Sequence, residues 1–575
     1  MRAILSGRAS STAHHLTLEL HVTRRRPLRS ARTDTDDVRV DGLAEGLAEP
    51  ALQRALLRMP DLTRRTLLAG TAFFGGAAAL SARRAAAAPA QAPRGAVAAG
   101  ATTTAVAAPA PQPQWLHANG NPRGSDIAVK NGRAAEGRFG VMFKKAPAFA
   151  PPDEVINQLA RSVTMLDDRT PGRDPSDHDP QDNPEITGGY TFLGQFIDHD
   201  MTRDTTPLTS QQSDPKGVTN FDTPFFDLQS VYGNGPAADP QLYEADRAHL
   251  KISSPNGFPD LPRDASGTAL IGDPRNDENL VIAQLHVAFL AFHNRLLDEG
   301  KTFEQARTLT RWHFQWLIVH EFLPRVCGRA LIASYVSVPP WQVRPMFYTA
   351  KNPKKPFMPI EFSVGAYRFG HSMVRSEYEM NDAHTRPTFG QPGFDLRGSR
   401  AVPSELQADW SYFFDVPGMT PPEGLNLARR IDSRLVIPLH DLPGTVVPRD
   451  ITPAFTDLAE RNMLRGKRLG LPAGQDVAVA MGLPPLPNAA LGLTDPRWGG
   501  KAPLWFYVLK EAELQHGGSH LGQVGGRIVA ETILAFLVLD RTSYLWASPQ
   551  FTPMKTPFTV GEFLKFSRTG KHMPQ

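Results

Sequence analysis

Cysteine is all but missing: 575 residues carry one, Cys327. No intrachain disulfide can form, which excludes a disulfide-stapled framework. Cys327 also lacks a cysteine partner for a metal site and reads as a buried, inert thiol. Long apolar runs are scarce too. The stretch from Thr66 to Leu80 is rich in Gly and Ala and falls short of the roughly 18 apolar residues that a span requires, so no integral membrane span is expected in the mature chain. No internal repeat is visible. The body also lacks a net positive charge. The formal net charge of +4 divides into +3 from residues 1–58 (ten Arg, seven Asp or Glu), +3 from residues 59–90 (four Arg, one Asp) and −2 from the rest. The pI near 9.0 belongs to the N-terminal segment, and charge lends no support to a nucleic-acid partner.

Proline, by contrast, is plentiful: 52 of 575 residues, about twice the usual share. Much of the chain must be loops and turns around short elements. Residues 1–58 mix Arg, Thr and Asp without a period and read as disordered, or as an upstream extension from a start the cell does not use. Met59 begins a sharper pattern: Arg64-Arg65, a short apolar segment, then Ala85-Ala86-Ala87-Ala88-Pro89-Ala90. Paired arginines before a weakly apolar stretch and a small-residue cleavage region resemble a twin-arginine export signal over 59–90. That implies the twin-arginine machinery as a partner and export to the periplasm or beyond, or a cytoplasmic protein if the signal is not used. Residues 91–135 read as a flexible Ala/Pro/Thr linker, and 136–575 as the folded body. Asp174–Asn183 reads as an acidic surface loop.

The chemistry gathers in a few stretches. Gly194-Gln195-Phe196-Ile197-Asp198-His199-Asp200 sets an amide, two acids and an imidazole in an aromatic run. On a helix, Gln195 and His199 share a face, and Asp198 and Asp200 lie about 100° to either side of His199. In Thr223-Pro-Phe225-Phe-Asp227-Leu-Gln229, alternate residues of an extended segment present oxygen ligands of the kind Ca²⁺ takes. In Gly272-Asp273-Pro274-Arg275-Asn276-Asp277-Glu278-Asn279, Asp273 can cap, Pro274 suits a first turn, and Arg275 and Glu278 share a face. A long apolar helix should run from Leu280 to Leu297, ending in His293-Asn294-Arg295, and a second from about Phe303 to Val326. Then come Tyr367-Arg368-Phe369-Gly370-His371 and Asn462-Met-Leu-Arg465. Each stretch alone is equally an ordinary buried helix or turn whose polar groups satisfy one another.

Together and in this order, the stretches resemble the animal-type haem peroxidase family, which includes mammalian peroxidases, peroxinectins and cyclooxygenases, with closest likeness to its bacterial branch. The likeness runs from about Phe139 to Ser567. It implies a mainly α fold with long loops and few short strands. By matched position it implies His199 as distal base, Gln195 as its neighbour and Arg275 as distal cation. His371 becomes the proximal ligand of a haem b iron, and Asn462 accepts the other ring N–H of His371. Arg368 and Arg465 lie near the propionates. Asp198 and Glu278 match acids that ester-link the haem, whereas Asn279 stands where one mammalian member has a sulfonium-forming Met, so that link is absent. Asp200, Thr223, Phe225 (by its carbonyl), Asp227 and Gln229 match a calcium site, with Gln229 in place of a Ser.

The residue types suit peroxide cleavage. A neutral imidazole can take and return a proton, and a permanently charged guanidinium can stabilise developing negative charge. The expected activity is reduction of hydrogen peroxide with oxidation of a halide, thiocyanate or phenol. One alternative is a fatty-acid dioxygenase of the same superfamily. Those members place a radical-forming Tyr three residues before the proximal His, where Arg368 stands here; Tyr367, one residue earlier, should point elsewhere. The other is a non-catalytic adhesion protein on the same fold.

Overall fold

The computed structural model describes residues 2–6, 19–23, 137–162, 165–166, 180–202, 219–220, 224–336, 345–350, 356–444, 446–447 and 455–573. The expected leader beyond residue 23, the export signal and the linker lie outside them. At the N-terminus, β1 (Arg2–Ser6) and β2 (Glu19–Thr23) pair antiparallel, Arg2 opposite Thr23. The body is mainly helical. Its strands are short and scattered, so helix packing organises it. β3 (Gly137–Gly140), α1 (Asp153–Ser162), β4 (Met165–Leu166) and β5 (Asp182–Thr187) lead into α2 (Gly189–Met201), then β6 (Thr219–Asn220). Next come α3 (Leu280–Asp298), α4 (Phe303–Leu317), α5 (Leu323–Cys327), β7 (Phe357–Pro359), β8 (Glu377–Asn381), β9 (His384–Pro387), β10 (Leu427–Arg429) and β11 (Leu435–Val436). The chain closes with α6 (Leu458–Arg468), α7 (Leu504–His516), α8 (Gln523–Leu539) and α9 (Val560–Ser567). β3 pairs antiparallel with β6 and parallel with β7. β5 pairs antiparallel with β10, β4 parallel with β11, and β8 with β9 as a hairpin.

The core is aromatic where α2, α3 and α4 meet. Phe196 stacks on Phe289 at 4.3 Å and 6°, and Phe314 stands edge-on to both. Rings in these two geometries add to the value of their burial. α3 is long and apolar enough to cross a membrane, but 78% of its apolar window is buried inside the fold. Asn279 caps it by accepting from Ile282 N. His293-Asn294-Arg295 ties its far end to the surrounding loops. His293 bonds Tyr232 Oη and Ala248 O, Asn294 brackets both backbone groups of Leu250, and Arg295 reaches Phe566 O. These three residues hold structure together.

Three expectations change. The helix expected over Phe303–Val326 is interrupted by a π turn, Ile318–Phe322; Pro324 follows, with no N–H to give and a ring that crowds the carbonyl four residues back. The surface loop expected over Asp174–Asn183 ends in strand β5, where Asp182 and Asn183 are buried. Asp182 tolerates burial because Arg375 and Arg429 both bond it, at 2.6 and 2.7 Å. The extended segment expected before Gln229 is a bend, and Gln229 opens a helical turn, Gln229–Tyr232.

Candidate active site

A cavity of about 420 Å³ lies between α2, the stretch before α3 and the Ala366–His371 turn. Gln195, Asp198, His199, Arg275, Glu278, Arg368, His371 and Arg465 all line it. Residues that are up to 270 positions apart in sequence thus meet at one site.

The helix expected around His199 forms as α2, with Gln195 and His199 on one face. His199 is buried, with Nδ1 2.8 Å from Asn276 Oδ1. The amide carbonyl can only accept, so Nδ1 carries a proton, and in the neutral ring the lone pair is then on Nε2. Glu278 Oε1 lies 3.8 Å from that Nε2. Gln195 donates from Nε2 to Glu278 Oε1 and accepts at Oε1 from Asn279 Nδ2 at 3.1 Å. Asn279 therefore caps α3 with one end of its amide and steadies Gln195 with the other. Asp198 accepts from Thr202 Oγ1 at 2.9 Å.

Arg275 is held by fully buried Asp273, whose carboxylate accepts from Nε and, at 2.7 Å, from Nη2. Nη2 also donates to the carbonyls of His199 and Thr202. Asp273 caps its own 3₁₀ turn, Pro274–Asp277, as the sequence suggests, and also fixes the guanidinium. Gly272 brings this turn against the helical turn of Gln229, where a Cβ would lie 2.2 Å from Gln229 O.

His371 also lines the cavity and ends the 3₁₀ turn Ala366–His371, which follows a π turn, Glu361–Gly365. A Cβ on Gly370 would meet nothing within 4 Å, so space is kept beside His371. Burial, helped by the Arg368 charge, pushes the His371 imidazole down to about 3, so the ring is neutral. Asn462 does contact it, at 2.8 Å, but with the polarity opposite to that expected: Nδ2 faces His371 Nδ1, and Oδ1 accepts from Arg368 Nη1 at 3.1 Å. A guanidinium can only donate, so it draws the carbonyl towards itself. A ring that ligates through Nε2 needs the reverse, with Asn462 accepting from Nδ1–H. Tyr367 also departs from expectation. On mixed π and 3₁₀ turns the α-helical 100° step does not apply, and Tyr367 lines the same cavity, its hydroxyl donating to Gly194 O at 3.1 Å.

The donor set fits a haem. It offers two imidazoles, His199 and His371, apolar walls from Phe192, Val364, Phe369, Leu396 and Leu442, and arginines for carboxylates. The expected calcium ligands are less fully described, since Thr223 lies outside the described residues. Asp200 accepts from Leu228 N at 2.9 Å and from Ser230, and Asp227 accepts from Gln229 N. Gln229 Oε1 is buried without a hydrogen-bond partner among the described residues, as a carbonyl reserved for a cation would be. No cluster of three or more His, Cys, Asp or Glu suited to a metal occurs among the described residues. Sequence reasoning missed Asn276, Asp273, Asn279 and Tyr367 as parts of the site. All four sit beside residues it named; Asn276, Asn279 and Tyr367 meet partners from distant segments, whereas Asp273 grips Arg275 two residues on.

Comparison with known proteins agrees with this geometry. The animal haem peroxidase family profile matches residues 200–491. The chain is 26% identical over 184 residues to chorion peroxidase from Aedes aegypti, covering 29% of this chain and 23% of that protein. It is 25% identical over 313 residues to Homo sapiens thyroid peroxidase, covering 48% and 32%. The chain thus spans about a quarter to a third of the length of these relatives. Among solved structures, peroxidase A from Dictyostelium discoideum aligns with a TM-score of 0.52 at 19% identity, over 77% of this chain and 94% of that one, which shows a shared fold.

Proposed function

The chain belongs to the animal haem peroxidase family, and from that premise we propose that it reduces hydrogen peroxide and oxidises a small donor: halide, thiocyanate or phenol. The observation that carries this reading is the pair His199 and His371 lining one cavity, each backed by an asparagine amide at 2.8 Å. When bound, haem b would supply redox-active iron chemistry. His371 would hold the iron; Asn462 presents Nδ2 to its Nδ1 while Arg368 holds Oδ1, so that role would require the amide to turn over. His199, its Nδ1–H given to Asn276, takes a proton from peroxide on Nε2 and returns it to the leaving oxygen. Arg275, aimed by Asp273, stabilises negative charge on that oxygen. Gln195, held by Glu278 and Asn279, would be the neighbour of His199. Arg368 and Arg465 would receive the propionates, and Asp198 and Glu278 would be the acids that ester-link the haem.

Three further assignments complete the reading. Asp200, Thr223, Phe225, Asp227 and Gln229 hold Ca²⁺, supported by the unpartnered Gln229 Oε1. Residues 59–90 direct twin-arginine export, supported by Arg64-Arg65 and the small-residue run that follows; a secreted form that retains Arg64 would contradict this. Residues 136–575 form the catalytic domain. The deciding experiment is absorbance of the purified protein with and without H₂O₂, with bromide, iodide and guaiacol offered in turn. A Soret band and peroxide-dependent oxidation of at least one donor are expected. Absence of a Soret band, or oxygen uptake with a fatty acid and no donor oxidation, would contradict the reading.

A further inference from the structure

We propose that His286 is a positioning residue for His199, acting through the amide of Asn276 to keep the proton of His199 on Nδ1. The proposal deepens the peroxidase reading and rests on it.

The amide of Asn276 lies between two buried imidazoles. Its Oδ1 is 2.8 Å from His199 Nδ1 and its Nδ2 is 3.0 Å from His286 Nδ1. An amide has one accepting end and one donating end, so whatever fixes one end fixes the other. His286 Nδ1 accepts from Nδ2, which turns Oδ1 to His199 and makes His199 Nδ1 the donor. Only in that tautomer does His199 present a lone pair on Nε2 to the cavity. If the amide turned over, Nδ2 would donate to His199 Nδ1, and the proton would move to Nε2, where it blocks the base. A misplaced imidazole proton is a known way to disable a catalytic histidine whose geometry is otherwise intact.

His286 suits this task. It is wholly buried on α3, edge-on to Phe196 at 5.9 Å, so its ring cannot swing away. Burial pushes its imidazole down to about 3, so the ring is neutral, and the amide Nδ2 facing Nδ1 selects the tautomer that leaves the lone pair there. Its Nε2 is also buried and has no hydrogen-bond partner among the described residues. In the tautomer that accepts from Asn276 this nitrogen carries the proton, a buried donor whose cost the Nδ1 contact has to outweigh.

The test uses the haem-loaded protein and two readouts: kcat/KM for H₂O₂, and the rate of cyanide binding followed by the Soret shift. HCN, like peroxide, must give a proton to the distal base. His286→Leu should slow both by about tenfold, roughly what one net hydrogen bond between the two amide orientations represents, with KM for the reducing donor unchanged. His286→Asn places a carbonyl close to where Nδ1 was and should recover most of the loss. In an Asn276→Asp background the side chain only accepts, so His286→Leu should cost less than about twofold further. Should His286→Leu fail to fold, His286→Phe keeps a ring without an acceptor and stands in for it. Wild-type rates in His286→Leu, or equal losses in His286→Leu and His286→Asn, would overturn the proposal. If His199→Ala slows cyanide binding while the His286 variants do not, the proposal alone fails. If His199→Ala changes nothing, the peroxidase reading fails and the proposal with it.

Discussion

Asp273 should matter to both stability and catalysis, in separable amounts. It is fully buried, caps the Pro274–Asp277 turn through Arg275 N, and holds Arg275 by Nε and Nη2. Removing the cap costs about 1 kcal/mol, and losing charge-assisted hydrogen bonds costs a further ~1.5–3 kcal/mol. The Arg275 side chain is 28% exposed, which places the second cost towards its lower end because the stranded charge can reach solvent. Asp273→Ala should therefore lose about 3 kcal/mol in urea unfolding. Asp273→Asn keeps an oxygen for the cap and should lose about half of that. In both, Arg275 is no longer aimed, so kcat/KM for H₂O₂ should fall by about 10², the usual cost of one lost electrostatic stabiliser. The decisive comparison is Asp273→Asn, because its stability loss is small. If it is as active as the wild type, Asp273 serves only as a cap and Arg275 needs no anchor.

Three more predictions follow from the same structure. Burial pushes the Glu511 carboxyl from 4.5 up to about 7, against the N–H groups of Val524 and Gly525 that it accepts from. Between those two pH values the folded state holds a proton that the unfolded state has released, so this group's contribution falls as pH rises from 4.5 through 7, by about 3 kcal/mol in total; Glu511→Gln should flatten that part of the stability profile, and an unchanged profile would refute it. Calcium analysis of the dialysed protein should find about one ion per chain, lost in Asp227→Ala and weakened in Gln229→Leu; absence of bound calcium from the wild type would remove the site. Acid–acetone extraction after limited peroxide treatment should leave haem on the polypeptide, released stepwise in Asp198→Ala and Glu278→Ala; full extraction of unmodified haem would show that both acids serve only as hydrogen-bond partners.

How much of this was legible in the sequence depended on whether the interaction was local. α2 and α3 could be read from their apolar and aromatic runs, which are long enough for buried helices. The cap role of Asp273 was equally local. Its grip on Arg275 is local too, but an aspartate two residues from an arginine carries no distinctive signal on a turn. The amide chain from His199 through Asn276 to His286 spans 77 and then 10 positions, and no periodicity signals it. The polarity of Asn462 was misjudged because the competing donor, Arg368, is 94 residues away. Tyr367 was misplaced because the α-helical angle was applied to a segment that winds as π and 3₁₀ turns.

The central claim is that His371 and His199 serve opposite faces of one haem. It is tested most directly by expressing His371→Ala and His199→Ala side by side and recording the Soret band and peroxide turnover of each. His371→Ala should lose the haem or hold it loosely and inactively, because the axial ligand is gone. His199→Ala should keep a wild-type Soret intensity while turnover falls by roughly 10²–10⁴-fold, the usual effect of a placed acid–base group. Normal turnover in both variants, or loss of haem from His199→Ala with retention in His371→Ala, would contradict the assignment.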